Sequence, residues 1–316
     1  MKITIIVPCY NEHETIEIYY NEVIKYLNDK NEYKILFVND GSKDNSLEIM
    51  KHLAEKDERI LYLSFSRNFG KEAAMYAGLD MAQKINSDIA IIMDVDLQDP
   101  PHLIPELLKE HEKGYNLVLT RQKNRKGQKL FGKICSLGFY KLYAFITKDK
   151  SMANGSRDFC LMDRKVVDAF LSVDDQERFT KGLFIYVGFR TTHLEFDYEE
   201  RVAGQTKWGF RKLLKYAFLG MREFSRFYEY IPKIFAWLFF FLLCFDIGKG
   251  IYRAADLDIN IYDALNWSNI RFDVAMIMIL IVLFYVIRLL YNIRDDSRKR
   301  PHYIAEDTNI EIKRED

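Results

Sequence analysis

Residues 89–101 read IAIIMDVDLQDPP. A strand-length, β-branched apolar run stops at two aspartates spaced two apart, Asp94 and Asp96, followed by Gln98 and Asp99. The same pattern recurs upstream. ITIIV at 3–7 ends in Pro8-Cys9-Tyr10-Asn11-Glu12, and ILFV at 35–38 ends in Asn39-Asp40-Gly41-Ser42. ILYL at 60–63 leads into Ser66-Arg67-Asn68-Phe69-Gly70-Lys71, and Leu117–Leu119 is a fifth short run. Helical periodicity fills the gaps, over about 12–28, 45–56, 71–84 and 101–112. Strands alternating with helices predict a doubly wound, mainly parallel α/β sheet. Ligands of such sheets bind beyond the carboxyl ends of the strands. The polar residues directly after each run are therefore the candidates for chemistry.

Carboxylates two apart at a strand end can converge on one hard cation. Mg²⁺ or Mn²⁺ is held in this way, with phosphate oxygens and water completing the shell. Asp40 before Gly41-Ser42 suits the base and ribose of a nucleotide, although Asx-Gly-Ser is also an ordinary turn. Arg67 and Lys71 can meet phosphates or pair with nearby carboxylates. Asp158 lies beside a further predicted strand at 159–162, and another strand is expected at 193–198.

Composition narrows the class. The 316 residues make about two domain-sized units, and 46 Lys plus Arg balance 46 Asp plus Glu. A zero net charge argues against a protein that holds nucleic acid by bulk charge. The four cysteines are widely spaced, with no CxxC pair, and the six histidines show no HxxH or HxxxH spacing. A disulfide framework and a cysteine zinc site are not expected. The apolar run at 3–7 is too short for a signal peptide, so the bulk of the chain is expected in the cytoplasm.

Charge and hydropathy separate along the chain. Residues 121–133, RQKNRKGQKLFGK, hold six basic and no acidic side chains. Arg201-Val202-Ala203-Gly204-Gln205-Thr206-Lys207-Trp208 sets two cations around a glycine turn. Residues 207–226 then carry six basic side chains against one acidic, interleaved with Leu213, Leu214, Phe218 and Leu219. That is the signature of an interfacial amphipathic helix, with an ordinary surface helix as the alternative. IFAWLFFFLLCF at 234–245 and the run 274–287 are apolar cores that helical extension can lengthen into two spans, with a buried soluble helix pair as the alternative. Basic residues flank the pair on its outer sides, so both ends are expected to be cytoplasmic. The expected organisation is a catalytic domain at 1–206, a juxtamembrane helix at 207–231, a membrane hairpin at 232–293 and a cytoplasmic tail at 294–316.

These motifs resemble family 2 glycosyltransferases of the GT-A fold. More closely, they resemble the polyprenyl-phosphate glycosyltransferases, which include bactoprenol glucosyltransferases and dolichol-phosphate mannose synthase. The matching stretches are VPCYNE (7–12), NDGSKDNS (39–46), SRNFGKEAAMYAGL (66–79), DVDLQDPP (94–101), RDFCLMDR (157–164), RVAGQTKW (201–208) and RPHYIAE (300–306). The resemblance implies that Asp40 contacts the donor's base, with Pro8, Tyr10 and Glu12 lining the nucleotide pocket. Asp94 is implied at the ribose or the metal, and Asp96 and Gln98 at Mg²⁺ or Mn²⁺. Arg121, Arg125, Arg201 and Lys207 are implied to bind the diphosphate and the lipid phosphate. Asp158 is implied at the reacting centre, either as a base or as an orienting group.

The partners so implied are a UDP-sugar, polyprenyl phosphate and inner-membrane lipids, with no nucleic acid and a homo-oligomer, by analogy a tetramer. Relatives often have Gly-Asp-Phe where this chain has Arg157-Asp158-Phe159, which leaves the surroundings of Asp158 open. The QxxRW signature of processive synthases is absent, which disfavours polymer synthesis. Three other functions stay open: a GDP-mannose or other donor, transfer to a glycan or lipid hydroxyl, and a non-catalytic membrane-tethered nucleotide sensor.

Overall fold

The computed structural model describes residues 1–122, 156–173, 178, 180–197, parts of 248–293, and 303 and 305–310. The chain divides into two compact units, 1–223 with 300–316, and 224–299. Arg125, Arg201 and Lys207, most of the basic 121–133 stretch and the expected helix at 207–226 lie outside the described residues.

The first unit is built on an eight-stranded sheet. Its strands are β1 (Lys2–Cys9), β2 (Glu32–Asn39), β3 (Ile60–Phe65), β4 (Ile89–Ile92), β5 (Leu117–Gln122), β6 (Ser156–Asp163), β7 (Thr191–Phe196) and β8 (Ala305–Thr308). The order across the sheet is β7-β5-β6-β4-β1-β2-β3-β8. Strands β1 to β4 are mutually parallel, and β7 is parallel to β5. Strand β6 runs antiparallel to both β4 and β5, and β8 runs antiparallel to β3. The sheet is therefore mixed, with a parallel half that carries the motifs.

The parallel half forms because its strands are apolar on both faces. Ile3, Ile5, Ile6, Val7, Ile35, Leu36, Phe37, Ile89, Ile91 and Ile92 are all buried. Strands covered by helices on both sides need such near-continuous runs. Each buried Ile or Phe contributes about 1.5–3 kcal/mol relative to exposure. Helix α3 (Lys71–Lys84) packs against β1, with Ala74, Ala77 and Gly78 among its buried residues. A Cβ on Gly78 would fall 2.2 Å from Ile6 Cγ2, so only glycine permits that approach.

Helix α1 (Ile16–Val23) starts later than the periodicity predicts and passes into a 3₁₀ turn at Ile24–Tyr26. Residues 11 and 12 are held in a loop instead. The backbone N–H groups of Asn11 and Glu12 donate to Ser42 Oγ (2.9 Å) and Ser46 Oγ (2.8 Å). Helix α2 (Ser46–Lys56) follows the prediction, and α4 (Ile104–Glu112) is preceded by a 3₁₀ turn at Pro101–Leu103.

Strand β8 closes the β3 edge. Thr308 pairs with Leu63 and Asp307 with Ser64. Asn309 Oδ1 accepts the Tyr62 N–H at 2.8 Å, and its Nδ2 donates to the Ile60 carbonyl at 3.0 Å. Lys51 pairs with Asp307 at 2.7 Å. Tyr303 stacks on Phe65 at 5.2 Å between ring centroids and donates to Asp80 at 2.9 Å.

In the second unit, Ile251, Tyr252, Leu257, Ile279, Leu290 and Ile293 are each more than half exposed. Among the described residues, no helix is long and apolar enough to cross a membrane.

Candidate active site

The carboxyl ends of β1, β2, β3 and β4 bring four loops together, and β6 adds a fifth segment from the antiparallel side. Pro8 forms part of β1 opposite Val38. It lies beyond the last β1–β4 pair, Ile6 with Ile92, so its missing N–H interrupts no ladder there. Tyr10 and Glu12 follow in the loop, where Glu12 Oε2 accepts the Thr15 hydroxyl at 2.9 Å.

Asp40, at the end of β2, is buried and faces the loop after β3. Its Oδ1 accepts the Phe69 N–H at 2.6 Å, and its Oδ2 accepts the Gly70 N–H (3.0 Å) and the Asn68 amide (2.8 Å). Burial pushes its pKa up to about 6, against the opposing pull of those backbone N–H groups and Arg67. Gly41 explains why the two loops can meet. Its φ is +62°, and a Cβ there would fall 2.3 Å from the carbonyl carbon of Arg67. The carboxylate of Asp40 thus shapes the 68–70 turn that opens α3.

That turn delivers Lys71. Gly70, at φ +101°, precedes the helix, and Lys71 is its first residue. The Lys71 ammonium lies 2.7 Å from Asp94 Oδ1, 2.9 Å from Asp94 Oδ2 and 2.7 Å from Asp158 Oδ2. Of the two roles open from the sequence, Lys71 takes the carboxylate pairing. Burial alone would lower its pKa, but Asp158 and then Asp94 outweigh this and hold it well above the usual lysine range. Burial would likewise raise Asp158, but Lys71 and then Lys181 hold it well below the usual carboxylate range. Lys181 Nζ stands 4.0 Å from Asp158 Oδ1. That oxygen is buried and accepts no hydrogen bond.

Asp96 is buried, and its Oδ1 accepts the Gln98 N–H at 3.1 Å. Leu97 between them has φ +58°, a left-handed conformation that costs a non-glycine residue about 1–2 kcal/mol. Strain of this kind concentrates at functional turns. Asp99 is fully buried and ties the segment down. Its Oδ2 accepts the Asp94 N–H at 3.4 Å, and its Oδ1 accepts Arg157 Nε at 2.9 Å. Arg157, the departure next to Asp158, is therefore the counter-ion of Asp99.

Arg121, at the end of β5, lies 3.8 Å from Glu195 on β7. The structure thus brings Asp40, Asp94, Asp96, Gln98 and Asp158 to one edge of the sheet with Pro8, Tyr10 and Glu12. Motif reading did not single out Asp99 or Lys181. Asp99 was visible as a third carboxylate in DVDLQD; nothing local to Lys181 marks it.

The Glycosyl transferase family 2 model matches residues 4–171. The chain belongs to glycosyltransferase family 2. It is 34% identical over 317 residues to the uncharacterized glycosyltransferase YkcC of Bacillus subtilis, covering 98% of this chain and 95% of the relative. It is 40% identical over 228 residues to the prophage bactoprenol glucosyl transferase homolog of Escherichia coli, covering 72% of this chain and 73% of the relative. A solved glucosyl-3-phosphoglycerate synthase of Mycobacterium tuberculosis, in complex with Mn²⁺ and UDP-glucose, overlaps 68% of this chain and 75% of its own, with 16% identity and a TM-score of 0.47. This family 2 member is a glycosyltransferase enzyme built on a mixed α/β sheet.

The acidic edge suits a divalent cation. Asp94, Asp96 and Gln98 supply hard oxygen donors, and Asp158 adds a buried oxygen without a hydrogen bond. Among the described residues, no group of three or more His, Cys, Asp or Glu side chains is arranged to hold a metal by itself. A site of one or two carboxylates completed by substrate phosphates and water is the ordinary form for Mg²⁺.

Proposed function

We propose that the enzyme transfers glucose from UDP-glucose to polyprenyl phosphate at the cytoplasmic face of the membrane, with inversion at the anomeric carbon. The observation that carries this reading is the acidic strand-end cluster of Asp40, Asp94, Asp96 and Asp158 in a family 2 chain. The relatives named bactoprenol glucosyl transferase, at 40% identity, support glucose and the lipid carrier.

In this reading Asp40 and the Pro8–Glu12 loop hold the nucleotide. Asp94, Asp96 and Gln98 hold Mg²⁺ or Mn²⁺, which when bound offsets charge on the leaving diphosphate. A phosphate oxygen of the lipid attacks the anomeric carbon as the bond to UDP breaks, leaving a β-linked phosphodiester. A phosphate monoester is already largely ionised near neutral pH, with a second pKa of about 6. It needs little help from a base. Asp158, paired with Lys71 and held far below neutrality, fits an orienting role better than proton abstraction. Positioning and preorganised charge supply the acceleration. Arg121, Arg125, Arg201 and Lys207 are the proposed grip on the two phosphate groups.

The large exposed apolar side chains of residues 251–293 support membrane attachment, with the catalytic unit and the tail in the cytoplasm. Attachment to a membrane is consistent with the lipid acceptor of this reading.

Purified full-length enzyme, polyprenyl phosphate and a panel of nucleotide sugars test the reading. A glucosyl phospholipid formed from UDP-glucose and Mg²⁺ is the expected product. Transfer from another donor, or to a hydroxyl acceptor, replaces that part of the proposal. No nucleotide release with any donor would leave the nucleotide-sensor reading.

A further inference from the structure

The resident partner of Asp94 and Asp158 is a lysine, and its position follows from the fold. The ammonium is delivered by the first residue of a 14-residue helix, directly after a turn that Asp40 clamps through Phe69 and Gly70. It contacts both oxygens of Asp94 and one of Asp158, and only 26% of its side chain is exposed. Asp94 cannot give both oxygens to Lys71 and still offer an unshared oxygen to a second cation.

We infer that Lys71 is a positioning residue whose ammonium holds Asp94 and Asp158 together and competes with the divalent cation for them until the donor diphosphate arrives. The inference rests on the metal-dependent donor reading above. A nucleotide diphosphate brings negative charge to the same edge, which gives the ammonium a new partner and frees Asp94. Metal and nucleotide then bind with positive coupling, each improving the affinity of the other by the same factor. Lys71 is the source of much of that coupling, because it penalises the metal most when the nucleotide is absent.

The test is Mn²⁺ binding to full-length enzyme in detergent, followed by electron paramagnetic resonance with and without UDP. Lys71→Met is expected to bind Mn²⁺ alone about tenfold more tightly than the wild type. The enhancement by UDP should shrink by a comparable factor. Lys71→Arg, which keeps the charge, should restore weak binding of Mn²⁺ alone and most of the coupling. Unchanged or weaker Mn²⁺ binding by Lys71→Met overturns the inference, as does a Lys71→Arg enzyme that behaves like Lys71→Met. If Lys71→Met does not fold, Lys71→Gln is read in the same way. Wild-type enzyme that binds no Mn²⁺ even with UDP would remove the metal reading itself, and this inference with it. Normal wild-type coupling with unaltered lysine variants would remove this inference alone.

Discussion

Arg157 Nε lies 2.9 Å from Asp99 Oδ1, and Asp99 has no exposed surface. The pair joins β6 to the turn that carries Asp94 and Asp96. Burial pushes Asp99 up to about 6, although Arg157 pulls it down. Removing one partner of such a pair leaves an uncompensated buried charge, at a cost of about 3–5 kcal/mol. Arg157→Ala should therefore lower stability by about 3 kcal/mol at mildly alkaline pH. The loss should narrow as pH falls, because Asp99 can then be neutral. Urea unfolding at two pH values measures this, and adding Asp99→Asn should recover part of the loss.

Asp40 gives a pH prediction for donor binding. Its pKa is raised to about 6, above the unfolded value, so its ionised form is the costlier one in the folded state. That cost falls away as pH drops through about 6, so this group favours the fold slightly in acid. Donor binding should move the other way, since a protonated Asp40 accepts fewer hydrogen bonds from the 68–70 turn. The KM for the donor should rise below about pH 6. Asp40→Asn should show a high KM without that acid limb; a wild-type profile in this variant would refute the assignment.

Gly41 should tolerate no side chain. The Cβ of Gly41→Ala would collide with the backbone at Arg67, and alanine disfavours the positive φ. A destabilisation of about 1–3 kcal/mol is expected, with a raised donor KM because the 67–70 loop must shift. Thermal melting and donor titration read the two effects separately.

Asp96→Asn should abolish metal-dependent transfer while leaving the fold intact, since an asparagine of nearly the same size and shape keeps an oxygen that can accept the Gln98 N–H. A far-ultraviolet spectrum and a melting curve close to wild type, with no product, are the expected results. Transfer at the wild-type rate would remove Asp96 from the metal set.

Tyr303 should contribute to the stability of the catalytic unit. Tyr303→Ala removes the stack on Phe65 and the hydrogen bond to Asp80, an expected loss of about 2 kcal/mol. Tyr303→Phe should lose about 1 kcal/mol, the hydrogen bond alone. Equal melting temperatures for all three proteins would show that the tail is not held as described.

How far the sequence could be read depended on how local each signal is. The apolar runs of β1 to β4 and the helix 71–84 are local patterns, and the structure repeats them closely. The three antiparallel pairings were not legible, because strand direction depends on the connection and not on the strand's own residues. Strand β8, AEDT, has no apolar run, and its partner lies about 240 positions earlier. Asp40, Asp94 and Asp96 could be picked out as carboxylates following strand-like runs, and Asp158 as one beside a further run. That Lys71 would choose carboxylates, and that Arg157 would serve Asp99, required the three-dimensional approach of α3, β4 and β6. The positive φ of Leu97 was invisible, since leucine gives no hint of a left-handed turn.

The return of the chain to β3 carries a topological consequence. Residues 1–223 and the strand at 305–308 belong to one compact unit, while 224–299 form the other. A single folded body cannot straddle a bilayer, so the departing and returning segments must emerge on the same side. Any passage of residues 224–299 through a membrane is therefore even in number. Were residues 224–299 to cross a membrane, the pairing of Leu63 with Thr308 would act as a parity check on the number of crossings.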